Sequence, residues 1–322
     1  MPTAARGPLI AVTGATGFLG RRLAPALAAT GCGVRVLVRR PPDSPWVGFA
    51  PEMVVGDLDD RASLDRLVLG ADVVIHAAGL IKAPDRAAFF AANAGGAERL
   101  AAAIDASATP PSRGARMVLV SSLAARSPEL SDYAASKRAG EDAARAVLGE
   151  RLMAIRPPAI YGPGDRETLA LFQLAATSPI MPMPDDASAR LALVQVDDVV
   201  ARLIAAVGDG WGPGVFALSG ARPEGYGWRE IFTCAATAVD RTPTLAPIPP
   251  WLIRGAAGLS EAAGRLRRAP TIFNRGKARE LLHRDWSVAP DEQPPGPAAA
   301  WLDLPTGFSR TVAWYRSAGW LT

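Results

Sequence analysis

The 322-residue chain has little cysteine, no long basic run and no long apolar run, and each shortage removes a class of protein. Cys32 and Cys234 stand far apart with no CxxC spacing, so neither a disulfide framework nor a zinc cage is expected, and no metal site is. So few thiols fit a reducing compartment, and the cytoplasm is the expected location. The apolar residues after the N-terminus run into a glycine motif rather than a secretory h-region. No stretch approaches the ~20 uninterrupted apolar residues of a membrane span. The net charge is only +4, and the densest arginine groups, Arg21-Arg22, Arg39-Arg40 and Arg265-Arg267-Arg268, are short. Without a basic stripe interleaved with aromatics, nucleic acid is not an expected partner.

What is present argues for a folded α/β protein. At 49% hydrophobic and 20% charged, the chain can bury a large core and is not disordered. Nearly continuous apolar, β-rich runs lie at 9–13, 34–38, 52–55, 72–76, 116–121 and 152–156. Such runs suit strands covered on both faces. Helical patterns fall between them at 18–30, 61–69, 86–106 and 132–149. Alternation of this kind predicts βαβ units, hence a doubly wound parallel sheet of the Rossmann type. The expected organisation is a nucleotide-binding Rossmann domain over 1–160. A smaller substrate-binding lobe is expected over 161–322, with some segments returning to the Rossmann core. That second half is punctuated by proline and glycine. Helices are expected there near 166–177, 197–207, 228–239, 251–267 and 275–283, and a strand near 214–218, with 289–300 an irregular connection.

The first strand leads directly into Thr13-Gly14-Ala15-Thr16-Gly17-Phe18-Leu19-Gly20, which opens the first helix. Glycines spaced three apart allow a tight turn and let a pyrophosphate approach the backbone, where free amides and the positive helix end hold it. Gly14, Thr16, Gly17, Phe18, Leu19 and Gly20 are therefore candidate cofactor residues.

This glycine spacing, and the wording TGATGFLG, resembles the extended short-chain dehydrogenase/reductase superfamily. The branch it is most similar to is that of epimerase/dehydratase-like proteins, 3-beta-hydroxysteroid dehydrogenases and dihydroflavonol reductases. The resemblance covers about residues 8–220 and implies further positions. Asp57 and Leu58 match the segment that meets the adenine, and Ala77, Ala78 and Gly79 after His76 match the lining of the cofactor cleft. Asn93, one of two asparagines, matches the helix asparagine that supports the active-site strand and a water. Pro157, Ala159 and Ile160 match the segment that contacts the nicotinamide carboxamide. Val194 to Val199 resembles the strand-to-helix entry of the substrate lobe, and serves equally as an acidic helix N-terminus. A homodimer is the quaternary state that the resemblance implies.

Tyr133 and Lys137 are four residues apart on an expected helix and so share a face. A nearby ammonium favours phenolate and brings the phenol toward working pH. Such a phenol can exchange a proton with a substrate oxygen while hydride moves at a nicotinamide. In the family both residues also touch the cofactor, and a hydroxyl at the end of the fifth strand completes the catalytic group. Ser122 is preferred to Ser121 for that role, although only ten residues separate it from the tyrosine, fewer than in the family.

About 20 residues past the glycines, where an NAD-preferring site places a carboxylate, the chain has Arg39 and Arg40. Forked guanidiniums attract a 2′-phosphate, so NADP is favoured over NAD. An arginine that only stacks on adenine would suit either cofactor. In the family, dehydratases carry acidic residues after the hydroxyl residue, where this chain has Leu123-Ala124. Sugar-nucleotide epimerases commonly have asparagine at the position of Ala159. The favoured function is thus an NAD(P)-dependent oxidoreductase interconverting an alcohol and a carbonyl on a small, apolar substrate. The alternatives are a nucleotide-sugar epimerase with tightly held NAD(P), and a non-catalytic NAD(P)-binding sensor or scaffold. At 251–268, Leu252, Ala256, Leu259, Ala263 and Leu266 repeat at helical spacing, while Arg254, Arg265, Arg267 and Arg268 face elsewhere. A helix packed on the lobe is the expected use, and contact with a membrane surface the alternative.

Overall fold

The computed structural model describes residues 7–44, 46, 48–108, 114–208, 211–267, 273–296 and 300–321; Arg268, and the side chains of Arg265, Leu266 and Arg267, lie outside what it describes. The elements in chain order are β1 Leu9–Thr13, α1 Gly20–Ala29, β2 Gly33–Val38, β3 Glu52–Val55, α2 Arg61–Val68, β4 Val73–His76, α3 Arg86–Phe90, α4 Gly96–Ala106, β5 Arg116–Val120, α5 Asp132–Leu148 and β6 Leu152–Arg156. They continue with β7 Ala159–Tyr161, α6 Leu169–Thr177, β8 Ile180–Pro184, β9 Arg190–Leu191, β10 Leu193–Gln195, α7 Val196–Val207, β11 Gly214–Ala217, α8 Trp228–Ala238, β12 Thr244–Ile248, α9 Pro250–Arg267, α10 Arg275–Leu281, β13 Asp285–Trp286 and α11 Leu304–Ser317.

Met1–Pro128, Tyr133–Arg156 and Val200–Phe216 form one compact unit; Glu129–Asp132, Pro157–Val199 and Ala217–Thr322 form a second. The first unit is built on a seven-stranded sheet in the order β11-β6-β5-β4-β1-β2-β3. The pairings from β3 to β6 are all parallel. This is the doubly wound fold expected from the alternating pattern, with each of the six expected strands within a residue of its expected bounds. The strand order reverses between β1 and β4, and a cleft outside the carboxyl ends of the strands is where such sheets bind ligands. One face of the sheet is sealed by Leu64, Leu67, Leu100, Ile104 and Leu148 from α2, α4 and α5, all buried against Val74, Met117 and Leu152.

The expected helix at 86–106 is not continuous. Asp85 caps α3 by accepting from Ala88 N at 2.8 Å, and a π-helical turn over Ala91–Gly95 separates α3 from α4. Such a turn inserts one extra residue into the helical repeat, a feature often found at functional positions and invisible to a 3.6-residue periodicity. Asn93 lies at its centre, buried.

The second unit contains more strand than its sequence suggests. β7 pairs with β10, β8 with β12 and β9 with β13, all parallel. Pro182, Pro184 and Pro247 read as turn residues, yet each lies in a strand. Asp185 N donates to Ile248 O at 3.0 Å and Thr244 N to Pro179 O at 2.9 Å. By alternation, residues 181 and 183 also aim their N–H at the partner strand, and the prolines face the open edges, where no donor is missed. The unit's core gathers Tyr161, Phe172, Phe308 and Tyr315 in edge-on contacts at ring distances of 5.0 to 5.7 Å.

Candidate active site

The glycine loop is fixed by close approach of backbone to backbone. Gly14 has φ +75°, and a Cβ there would lie 2.6 Å from Ala78 N. At Gly20 it would lie 2.1 Å from Gly14 O. The loop is thus pressed against Ala77 and Ala78 at the end of β4, which the sequence had assigned to the same cleft. Gly17 differs: it is exposed, and an added Cβ would meet only Gly14 O at 3.3 Å. The entry to α1 has no side-chain cap, and the N–H groups of Phe18, Leu19 and Gly20 have no acceptor among the described residues. These features fit a bound pyrophosphate: open amides, an exposed loop and no side chain in the way.

Beneath the loop, Thr13 Oγ1 and His76 Nδ1 are 2.6 Å apart, and Ala78 N donates to the same hydroxyl at 3.3 Å. Burial, and after it the positive charge of Lys137, lowers the His76 pKa to about 3, so this histidine is a neutral strut between β1 and β4. Arg21 braces the loop from outside, donating to Thr16 O at 3.1 Å and Ser44 O at 2.9 Å. Thr16, Arg21, Arg39, Arg40, Pro42 and Asp43 line a concavity of about 490 Å³. Arg39 and Arg40 are exposed and make no hydrogen bond or ion pair among the described residues.

Asp57 is exposed, and its Oδ1 accepts from Asp59 N at 2.8 Å and Asp60 N at 3.0 Å, which closes the turn before α2. Leu58 is partly buried and packs on the sheet core.

Asn93 Oδ1 accepts from Leu80 N at 2.8 Å, and its Nδ2 donates to Leu80 O at 3.0 Å and Ser136 Oγ at 2.9 Å. One side chain thus ties the loop after β4 to α5. Gly140 makes that approach feasible, since a Cβ there would sit 2.7 Å from Asn93 O. A Cβ on Gly79 would lie 2.9 Å from Asn93 Oδ1 and 3.7 Å from Lys137 Nζ, so Gly79, Asn93 and Lys137 meet in one place.

Lys137 Nζ donates to Val120 O at 2.7 Å, at the carboxyl end of β5. Burial lowers its pKa to about 8, with the carboxylate of Glu141 pulling the other way. Tyr133 lies one turn earlier on α5, half-buried, its ring 6.1 Å from Phe89. The two serines after β5 have different surroundings. Ser121 is buried and donates to Glu141, which also receives Arg156 Nε at 2.8 Å and NH2 at 2.6 Å. Ser122 is only half-buried; its Oγ accepts from Ala124 N at 3.2 Å, which leaves its proton to donate elsewhere. The Glu141–Arg156 pair and the Thr13–His76 strut were not picked out from sequence. Glu141 sits four residues after Lys137, a spacing that could have flagged it.

Pro157, Ala159 and Ile160 belong to the second unit, on and just before β7; Ala159 is exposed and Ile160 half-buried. The expected strand-to-helix entry is β10 leading into α7, where Asp198 Oδ2 accepts from Leu302 N at 3.0 Å. A larger concavity of about 910 Å³ in this unit contains none of the sequence-derived candidates, and within it Arg222 is already paired with Glu230. Most tryptophans of the second half are packing residues: Trp314 and Trp320 meet edge to face against the core, and Trp286 donates to Glu280 O. No group of three or more metal-binding side chains occurs among the described residues.

The chain matches the NAD dependent epimerase/dehydratase family over residues 10–218. It is 49% identical to the ceramide reductase of Caulobacter vibrioides, over 100% of this chain and 98% of that one. To the (4-alkanoyl-5-oxo-2,5-dihydrofuran-3-yl)methyl phosphate reductase of Streptomyces griseus subsp. griseus it is 31% identical, over 69% of this chain and 71% of the other. The Bordetella bronchiseptica enzyme WbmH, solved in complex with NAD+, superposes with a TM-score of 0.71 at 19% identity, covering 97% of this chain and 99% of that one, a likeness of fold.

Proposed function

This chain belongs to the NAD dependent epimerase/dehydratase family, and we propose that within it the protein is an NADPH-dependent reductase of an apolar, ceramide-class lipid carbonyl. It is an enzyme of the NAD(P)-dependent short-chain dehydrogenase/reductase type, and the two relatives named above, each matched over two thirds or more of this chain, are both named reductases. The observation that carries the reading is the meeting of Lys137, Asn93 and Gly79 beside the end of β5, with Tyr133 on the face of Lys137 and Ser122 next along the chain.

The nicotinamide, when bound, supplies the hydride. Tyr133 gives its phenolic proton to the substrate oxygen as that oxygen gains charge. Lys137 favours the phenolate left behind, through charge at close range. Ser122 donates to the same oxygen and fixes its position, since its own acceptor capacity is partly used by Ala124 N–H. Asn93 holds Leu80 at both backbone groups, so the loop that presents exposed Leu80 and Ile81 stays beside the lysine. Two exposed apolar side chains at this point suit an apolar substrate. Gly14 to Gly20 would hold the pyrophosphate. Arg39 and Arg40, exposed and uncommitted in their concavity, would hold a 2′-phosphate, which supports NADPH.

The test is turnover of a long-chain ketone followed by NADPH absorbance. The reading expects net oxidation of NADPH, and a loss of about 10²- to 10⁴-fold in Tyr133→Phe with NADPH binding retained. Unchanged activity in Tyr133→Phe would end the assignment. Interconversion of a sugar nucleotide without net NADPH consumption would replace it with epimerisation.

A further inference from the structure

The helix α9 does not bury the face its spacing marks as apolar. Its packed side is Ile253 and Ala257, set against Ala278 of α10. The stripe Leu252, Ala256, Leu259 and Ala263 lies roughly 100° round the helix from that side. Every one of its members is exposed, Leu259 at 76%, and Trp251 beside them is 67% exposed. Surface apolar residues scattered singly are ordinary, but four leucines and alanines in register with an adjoining tryptophan are a face without a partner.

Charge says what the partner is. Residues 250–284, which span α9 and α10, contain eight arginines and lysines against two glutamates, a net +6. The whole chain carries +4, so the remaining residues sum to −2. Some of this positive charge is committed: Lys277 pairs with Glu280, and Arg284 with Asp186. Arg254 is exposed on α9 itself and makes no hydrogen bond or ion pair among the described residues. An exposed apolar stripe with a tryptophan, set in the one strongly basic segment of a near-neutral protein, complements an anionic lipid surface on both counts. Sequence spacing had made packing on the lobe the expected use of this stripe; the packing goes through a different face.

We infer that α9 docks the protein on anionic bilayers, its Trp251–Leu252–Leu259 face lying in the interface plane. No helix among the described residues is long and apolar enough to cross a membrane, so the contact is peripheral. The docking helix is also tied to the chain just ahead of the catalytic helix. α9 packs on α10, Arg279 of α10 donates to Leu130 O at 2.6 Å, and Ser131 donates to Glu280. Tyr133 follows two residues later. The inference does not depend on which carbonyl is reduced, because it concerns binding in the absence of turnover.

Co-sedimentation of the full chain with vesicles tests it, using phosphatidylcholine alone and phosphatidylcholine mixed with phosphatidylglycerol. Binding to the mixed vesicles at low salt is expected, falling at high salt. It is expected to fall by about tenfold or more in Trp251→Ser/Leu252→Ser/Leu259→Ser, since each residue removes buried apolar area. NADPH titration of that variant serves as the check that it is folded. No pelleting of the parent with mixed vesicles, or equal pelleting of the parent and a folded triple variant, overturns the inference. So does a triple variant that loses a parental dimer on a sizing column while vesicle binding stays unchanged, because the face then belongs between two copies.

Discussion

Replacing Lys137 by methionine should leave the fold at least nearly as stable at neutral pH while removing activity. The lysine's pKa falls from 10.5 to about 8 because its ammonium is desolvated. That difference corresponds to about 3 kcal/mol of penalty on the charged form. Lys137 as a residue is half-buried, so this figure is an upper bound. The folded-state pKa lies below the unfolded one. The unfolded chain therefore binds more protons between pH 8 and 10.5, and this group makes stability rise with pH through that window; below pH 8 the penalty is fully present. Methionine avoids the penalty but abandons Val120 O, which loses its 2.7 Å donor at a cost of about 1–3 kcal/mol. Near pH 7 the two effects nearly cancel, and Lys137→Met should unfold within about 1–2 kcal/mol of the parent. Urea denaturation followed by tryptophan fluorescence, at pH 7 and at pH 9.5, gives the difference between parent and variant, from which other titrating groups cancel. The parent should gain on the variant by about 1–2 kcal/mol at the higher pH. A variant destabilised by more than about 3 kcal/mol at pH 7, or a gap that does not change with pH, would refute the reasoning.

Gly14→Ala and Gly20→Ala should each cost about 2 kcal/mol or more in stability, because the added methyl meets backbone at 2.6 and 2.1 Å. Gly17→Ala should melt within a few degrees of the parent yet bind NADPH about tenfold or more weaker by fluorescence titration. Ser122→Ala should lower kcat by about 10- to 10³-fold at nearly unchanged Tm. Ser121→Ala should instead destabilise by about 1–3 kcal/mol, since it strips a donor from buried Glu141. Arg39→Ala and Arg40→Ala should each weaken NADPH binding about five- to tenfold and leave NADH binding unchanged, a modest figure because both are exposed.

The first unit was legible because its strands are buried on both faces and so consist of apolar runs bounded by turn signals. Leu9 to Thr13 and Leu152 to Arg156 are such runs, and both appear as read. Gly14 and Gly20 were legible for a similar reason: a Cβ would meet backbone at 2.6 and 2.1 Å, so no other residue fits at either position. The second unit was less legible because its strands are two to five residues long, and three prolines sit within them on open edges. α11 was missed although its start is marked: Asp303 accepts from Thr306 N at 2.8 Å and Pro305 follows in the first turn. Leu304, Phe308, Val312 and Tyr315 then recur at helical spacing, all buried. The π-turn at Asn93 and the buried face of α9 depend on tertiary packing, which no local pattern encodes.

The arrangement around Lys137 explains how the site keeps a positive charge available. His76 is buried nearby, and protonated it would repel the ammonium; with its pKa lowered to about 3 it stays neutral and bonds to Thr13. Glu141, one turn along α5, could neutralise the lysine, but its two oxygens are taken by Arg156 and Ser121. Lys137 therefore has a carbonyl for a partner and no carboxylate. A half-buried ammonium whose nearby carboxylate acts only through space is costly, and the same deficit is what makes a negative charge welcome beside it. On the proposed mechanism that charge is the Tyr133 phenolate, formed only as the proton leaves for the substrate. The energy withheld from the resting fold then reappears in the transition state, so stability and rate draw on one interaction. Arg156→Met, which frees the Glu141 carboxylate toward Lys137, should for this reason lower kcat without touching substrate or cofactor.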